Sequence, residues 1–268
     1  MFKLPSASHL RREILNMAYA GQSVHVPSAF SVVEIVRVLH ESVIQYPNND
    51  PDDPERDYLV LSKGHGAMAL YPILAARGWI QGDALENYFA DGSLLPGLTE
   101  ACIPGCEANT GSLGQGITVA AGLALGAKLR GSNQRVFCII GDGELNEGSV
   151  YEALAFAAHN QLSNMTVILD ENRFQAMGKT NGILGSMNVD VFFESLGFSV
   201  FRLDGHDESA LTQAFARNHI VDSKAKPTAI VAETVKGKGV SFMEEVNEWH
   251  YRRLSSEELH RALEELEF

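Results

Sequence analysis

The stretch 136–174, VFCIIGDGELNEGSVYEALAFAAHNQLSNMTVILDENRF, sets the architecture of this chain. Val136 to Ile140 is a short apolar run with β-branched residues, which reads as a buried strand. Glu147 to Asn160 has helical spacing, with Val150, Leu154 and Ala157 on one face, and Met165 to Leu169 reads as a second buried strand. A strand, a helix of about a dozen residues and a second strand form a right-handed βαβ unit of a parallel sheet. Phe198 to Leu203 and Thr228 to Val235 read as further strands, with a helix expected at Glu208 to His219 between them. In such a sheet, ligands sit outside the carboxyl ends of the strands.

The first third reads as helices. Ser8 is placed to cap a helix over about His9 to Ala20, and Ser31 another over about Val32 to Ile44. A loop rich in Pro, Asn and Asp (Tyr46 to Arg56) leads to the apolar Tyr58 to Leu61, and a helical pattern follows at Ala67 to Ala76. The tail, SSEELHRALEELEF, has a capping-box pattern at Ser255 and Glu258 and reads as an acidic terminal helix. With no internal repeat and no linker, residues 1–268 read as one α/β domain, doubly wound, with a mainly parallel sheet and helices on both faces.

Composition narrows the function. With 45% hydrophobic and 21% charged residues the chain is globular, and its net charge of −13 argues against a nucleic-acid or anionic-membrane partner. The longest small and apolar run, Ile117 to Ala127, is too short to span a bilayer, and the N-terminus has no signal-peptide pattern, so a cytoplasmic protein is expected. Three cysteines cannot form a disulfide framework, and Cys102 and Cys106 have no second pair to complete a zinc site. The glycines of 111–116 follow no expected strand, so a dinucleotide fingerprint fails.

The chemistry gathers at the two strand ends. Gly141-Asp142-Gly143 alone would be a tight turn. Asp142 and Asn172, however, fall at corresponding ends of neighbouring strands, where a carboxylate and an amide oxygen, with a turn carbonyl nearby, make half of a six-oxygen shell for a hard cation. Magnesium takes its remaining oxygens from phosphates and water, and the glycines allow backbone N–H groups to approach a diphosphate.

This arrangement, GDG with an Asn some thirty residues on, resembles the thiamine diphosphate signature. The likeness to the transketolase family extends further, through LSKGHGAMALYPILAARG (61–78), PGCEANTGSLGQGITVAAGLALGAKL (104–129), 141–180 and KPTAIVAETVKGKGVSF (226–242), and covers roughly residues 10 to 251. The resemblance implies Mg²⁺ or another divalent cation on Asp142, Asn172 and the backbone carbonyl of Phe174. It implies thiamine diphosphate held by His65, Ser112, Leu113, Gly114, Gly141, Asp142, Gly143, Asn172 and His250. It assigns His25 to the ketose substrate and Glu147 to a hydrogen-bonded relay between paired sites, with His25, His65, Glu147 and His250 as the catalytic set. Glu144 and Glu171 read as loop residues near the site, and His9, His40, His159, His206, His219 and His260 as structural or solvent-facing.

The resemblance covers only the half of a transketolase that binds the diphosphate. It therefore implies an N-terminal subunit that transfers a two-carbon ketol unit between sugars or sugar phosphates. Its separate partner would carry the pyrimidine-binding and C-terminal domains, in an α2β2 assembly. Leu98 stands where the family usually has a substrate-contacting His, which puts the usual donor in question. Two alternatives stay open: a related split thiamine diphosphate enzyme acting on an unusual sugar or secondary metabolite, and a non-catalytic diphosphate-binding module.

Overall fold

Five strands, β1 (Tyr58–Leu61), β2 (Val136–Gly141), β3 (Met165–Glu171), β4 (Ser199–Asp204) and β5 (Thr228–Glu233), form one sheet in the order β1-β2-β3-β5-β4, every pairing parallel. The computed structural model describes residues 3–217 and 226–267; His219 and the end of the expected 208–219 helix lie outside them. The helices are α1 (Ala7–Ala20), α2 (Val26–Phe30), α3 (Val33–Val38), α4 (Tyr71–Ala76), α5 (Asp83–Glu86) and α6 (Gln115–Leu129), then α7 (Gly148–His159), α8 (Thr180–Ile183), α9 (Val189–Leu196), α10 (Glu208–Arg217) and α11 (Ser256–Glu265).

The sheet is covered on both faces because its strands are apolar on both. Alternate residues feed two cores: Cys138, Ile140, Val167 and Leu169 pack with α6, α7 and α9, whereas Phe137, Ile139, Ile168 and Ile230 pack with α1, α3 and α10. Connections from β1 through β4 advance across the sheet, but β4 to β5 turns back to insert β5 beside β3. A right-handed crossover that reverses direction places its helix on the opposite face, which is where α10 lies. The doubly wound α/β expectation holds.

Two N-caps differ from expectation. Ser6, not Ser8, caps α1, accepting from the His9 N–H at 3.2 Å, while Ser8 Oγ donates to the Leu266 carbonyl at 2.5 Å. Ser31 is not an N-cap: it is the C-cap residue of α2, its fully buried hydroxyl donates to Asp170 Oδ2 at 2.7 Å, and the expected segment divides into α3, which starts after Val32, and a wider helical turn over Leu39–Val43. The bond to Asp170 turns the Ser31 side chain toward the sheet, away from the N–H groups that a cap would serve. Ala67 to Ala76 is likewise divided, a 3₁₀ segment (Gly64–Ala69) preceding α4. The terminal capping box of Ser255 and Glu258 forms on α11.

Candidate active site

Four strands deliver polar side chains to one end of the sheet. β1 leads to Lys63 and His65, β2 to Asp142, β3 to Asn172 and β5 to Lys236. With His25 at the start of α2 and His250 near the C-terminus, they line a cavity of about 250 Å³. The βαβ register puts Gly141 opposite Asp170, so Asp142 and Asn172 leave adjacent strands at the same level.

Two buried carboxylates share this floor, and their surroundings differ. Asp170 is fully buried, receives the Lys63 ammonium and the Thr234 hydroxyl, and accepts from Ser31 Oγ and Asn172 Nδ2 at 2.7 and 2.9 Å. Burial would raise its carboxyl, but the Lys63 charge and these bonds hold it below its ordinary value. Asp142 accepts the N–H of Arg173, whose left-handed backbone (φ 66°) turns that group toward it. Burial and then the charge of Asp170 push the Asp142 carboxyl up to about 8. It is a buried carboxylate short of positive charge. Beside it, Asn172 spends its NH2 on Asp170, which fixes the amide orientation, and Oδ1 accepts only one bond, from the Phe174 N–H at 3.0 Å.

These donors fit a divalent cation. Among the described residues no group of three or more His, Cys, Asp or Glu could hold a metal alone. A carboxylate, an amide oxygen and a main-chain carbonyl leave coordination positions that phosphate and water complete in Mg²⁺ sites.

Three imidazoles form the opposite wall. Their ring centroids lie 5.4 Å (His25–His65), 4.7 Å (His25–His250) and 5.7 Å (His65–His250) apart, and the His25 N–H donates to the His250 carbonyl at 3.2 Å. Burial lowers all three, His65 well below its ordinary value and His250 to about 3, with the Lys236 charge adding to the effect on His250. All three rings are neutral near pH 7, so each can donate at one nitrogen and accept at the other. Among the described residues, the buried Nδ1 atoms of His25 and His250 have no hydrogen-bond partner. His25 also holds a strained left-handed backbone (φ 69°).

Not every expected residue reaches the cavity. Gly141, Gly143, Leu113 and Phe174 line it, whereas Ser112, Gly114 and Glu147 do not, and Glu147 is an exposed residue just before α7. Gly114 acts from behind: its N–H donates to the buried Glu144 at 2.8 Å, and Glu144 also takes the Ser62 hydroxyl, tying the 112–115 turn to β1 and to the 141–143 turn. Leu98 lines the cavity, and its backbone is pinned, since the buried Tyr71 hydroxyl donates to the Leu98 carbonyl at 2.8 Å and Thr99 pairs with Thr110. Glu171 points away from the site, to Arg202.

Sequence reasoning missed the two lysines. Lys236 is 1% exposed, yet its ammonium has one long hydrogen bond, 3.3 Å to the Gln175 carbonyl, and stands 5.7 Å from the Phe174 ring centroid. Burial, then Lys63, lowers it to about 8. The only signal was its place just after a buried strand, in VKGKG.

Comparison with known proteins shows the family and the fold of the chain. The family described as "Transketolase, thiamine diphosphate binding domain" matches residues 6–268. The chain is 39% identical to a protein of Actinobacillus succinogenes named as one subunit of an apulose-4-phosphate transketolase, over 97% of this chain and 94% of that one. The protein of the same name from Phocaeicola vulgatus is 30% identical, over 96% and 90%. The crystal structure of transketolase from Campylobacter jejuni superposes with a TM-score of 0.89 at 32% identity, covering 98% of this chain and 42% of that one. The chain thus spans nearly the whole of the two apulose-4-phosphate transketolase relatives and about two fifths of the solved transketolase.

Proposed function

The chain belongs to the transketolase thiamine diphosphate-binding domain family, and from that premise we propose that it is the diphosphate-binding subunit of a two-chain transketolase, folded as a single domain over residues 1–268. It transfers a two-carbon ketol unit from a ketose phosphate to an aldose phosphate, with a second subunit that supplies the pyrimidine-binding half of the site. One observation carries this reading: a buried, unneutralised Asp142 carboxyl and the Asn172 amide oxygen share a cavity with the buried Lys236 ammonium and three neutral imidazoles.

Bound thiamine diphosphate supplies the electron sink for breaking and making a carbon–carbon bond beside a carbonyl. The protein's part is to hold charge and to place protons. Asp142, Asn172 and the Phe174 carbonyl would hold a divalent cation that offsets the diphosphate charge, and Lys236 would add a positive charge at low dielectric. Gly141 and Gly143 keep that approach free of side chains, and the 112–114 turn, braced by Glu144, supports the rest of the cofactor. His25, His65 and His250 line the cavity with neutral rings, His25 on the substrate side of this reading and His65 and His250 beside the cofactor, each able to pass a proton to or from a neighbouring hydroxyl. Glu147, exposed beside α7, is available to a partner for a relay between sites.

A non-catalytic diphosphate-binding module would need the cation and diphosphate groups but not three neutral imidazoles in the same cavity. The donor is a separate matter: the pinned, apolar Leu98 and the two relatives named for apulose 4-phosphate favour a ketose phosphate other than xylulose 5-phosphate. The experiment for the site is calorimetric titration of the assembled complex with thiamine diphosphate and Mg²⁺. Asp142→Ala and Asn172→Ala should abolish Mg²⁺-dependent binding, and wild-type affinity in either variant overturns the metal assignment.

A further inference from the structure

Behind the cavity, a run of buried and half-buried polar groups joins two of its walls. Arg11 donates through Nη1 and Nη2 to Glu34 Oε1 and Oε2 at 2.6 and 2.8 Å, and Nη2 also reaches the Phe30 carbonyl at 3.0 Å. Phe30 ends α2, the short helix that His25 opens. On the other side of Glu34, His206 Nδ1 lies 2.9 Å from Oε2. The backbone N–H of Val235 donates to His206 Nε2 at 2.9 Å. Val235 is the residue before Lys236.

The chemistry of these contacts fixes the histidine. A backbone N–H only donates, so Nε2 must be the bare nitrogen, and Nδ1 carries the proton and donates to Glu34. One neutral tautomer satisfies both partners. The loop beyond β5 is also tied by Lys238 N–H to the Val235 carbonyl at 3.2 Å, by Gly237 N–H to the Pro27 carbonyl at 3.1 Å and by Glu245 N–H to the Lys236 carbonyl at 2.9 Å. His206 holds the peptide one step earlier, Thr234–Val235, through its N–H, at the entry to the turn that carries Lys236.

We propose that His206 is a positioning residue for cofactor binding: by accepting the Val235 N–H it sets the turn that aims the Lys236 ammonium into the cavity. The proposal rests on the reading that this cavity takes a diphosphate. It gives His206 a task beyond filling space between α3 and the sheet, and it links the Lys236 wall to the His25 wall through Glu34 and Arg11.

Two substitutions separate this role from a merely structural one. His206→Gln carries an amide oxygen about as far out as Nε2 and keeps an acceptor for Val235. His206→Asn places its amide nearer Nδ1 and keeps only a donor for Glu34. Thiamine diphosphate affinity is measured at saturating Mg²⁺ in the assembled two-chain enzyme, with thermal unfolding recorded in parallel. His206→Asn should weaken the Kd about three- to tenfold, the worth of one net hydrogen bond, while His206→Gln stays within about twofold of wild type. Adding His206→Asn to Lys236→Met should cost nothing further, because the histidine acts through the lysine. Equal effects of Asn and Gln, or additive losses in the double variant, overturn the proposal. A Lys236→Met complex with wild-type affinity, or a wild-type complex that does not bind the cofactor, overturns the diphosphate reading itself and this inference with it.

Discussion

Replacing Glu34 by glutamine should cost much stability at neutral pH and less in acid. Glu34 is buried in α3, with both carboxylate oxygens taken by Arg11 and one shared with His206. Burial alone would raise its carboxyl; the hydrogen bonds from His206 and Arg11, with the Arg11 charge, outweigh it and hold the group at about 2, against an ordinary 4.5. A carboxyl lowered by folding stabilises the fold above its unfolded value, and that contribution is lost as pH falls through the folded one. At about 1.36 kcal/mol per unit, the gap amounts to roughly 3 kcal/mol at pH 7. Glutamine keeps the shape but leaves a buried guanidinium without its counter-charge, at a cost of about 3–5 kcal/mol. Urea unfolding of wild type and Glu34→Gln, followed by circular dichroism with m-values compared, measures the difference. Linkage leaves about 2 of those 3 kcal/mol at pH 3.5, so the gap between the two proteins should narrow by about 1–1.5 kcal/mol between pH 7 and pH 3.5. A gap of the same size at both pH values would refute the claim that an ionised Glu34 holds this network.

Gly114→Ala should destabilise the chain by about 1–3 kcal/mol in thermal melts, because its backbone has φ 82° and an added Cβ would sit 2.2 Å from Ser149 Oγ and 3.0 Å from Glu147 Cβ; an unchanged melting temperature would show that the turn relaxes freely. Leu98→His should raise kcat/KM on xylulose 5-phosphate about tenfold, the worth of one restored hydrogen bond of ~1–1.5 kcal/mol. Efficient wild-type turnover, unmoved by the substitution, would mean that Leu98 does not shape the donor site. The purified chain should turn over no ketose by itself, and with its partner should sediment as α2β2 through contacts of more than about 2,000 Å². Transketolase activity of the single chain would end the two-chain reading.

The part of the site legible in the sequence was the part built by local rules. Each of β2 and β3 is a continuous apolar run closed by polar residues, and parallel neighbours end side by side, so the pattern alone brings Asp142 and Asn172 to the same edge of the sheet. The terminal capping box was equally local and formed as expected. Competition between distant groups decided the rest. Ser31 had every local reason to cap a helix, and only the fold brought Asp170 within its reach. The four-residue run Tyr58–Leu61 was too short to tell strand from helix until β2 paired with it. Lys63 and Lys236 are buried and His206 half-buried, although such side chains usually face solvent, and beyond the place of Lys236 just after a strand the neighbouring sequence does not mark them. Their partners lie far along the chain: Asp170 for Lys63, Glu34 and the Val235 N–H for His206. A buried charge is tolerated only where its partner is delivered to it: the order β1-β2-β3 brings Asp170 to Lys63, and the place of β5 between β3 and β4 brings Val235 to His206, a strand order that no local pattern encodes.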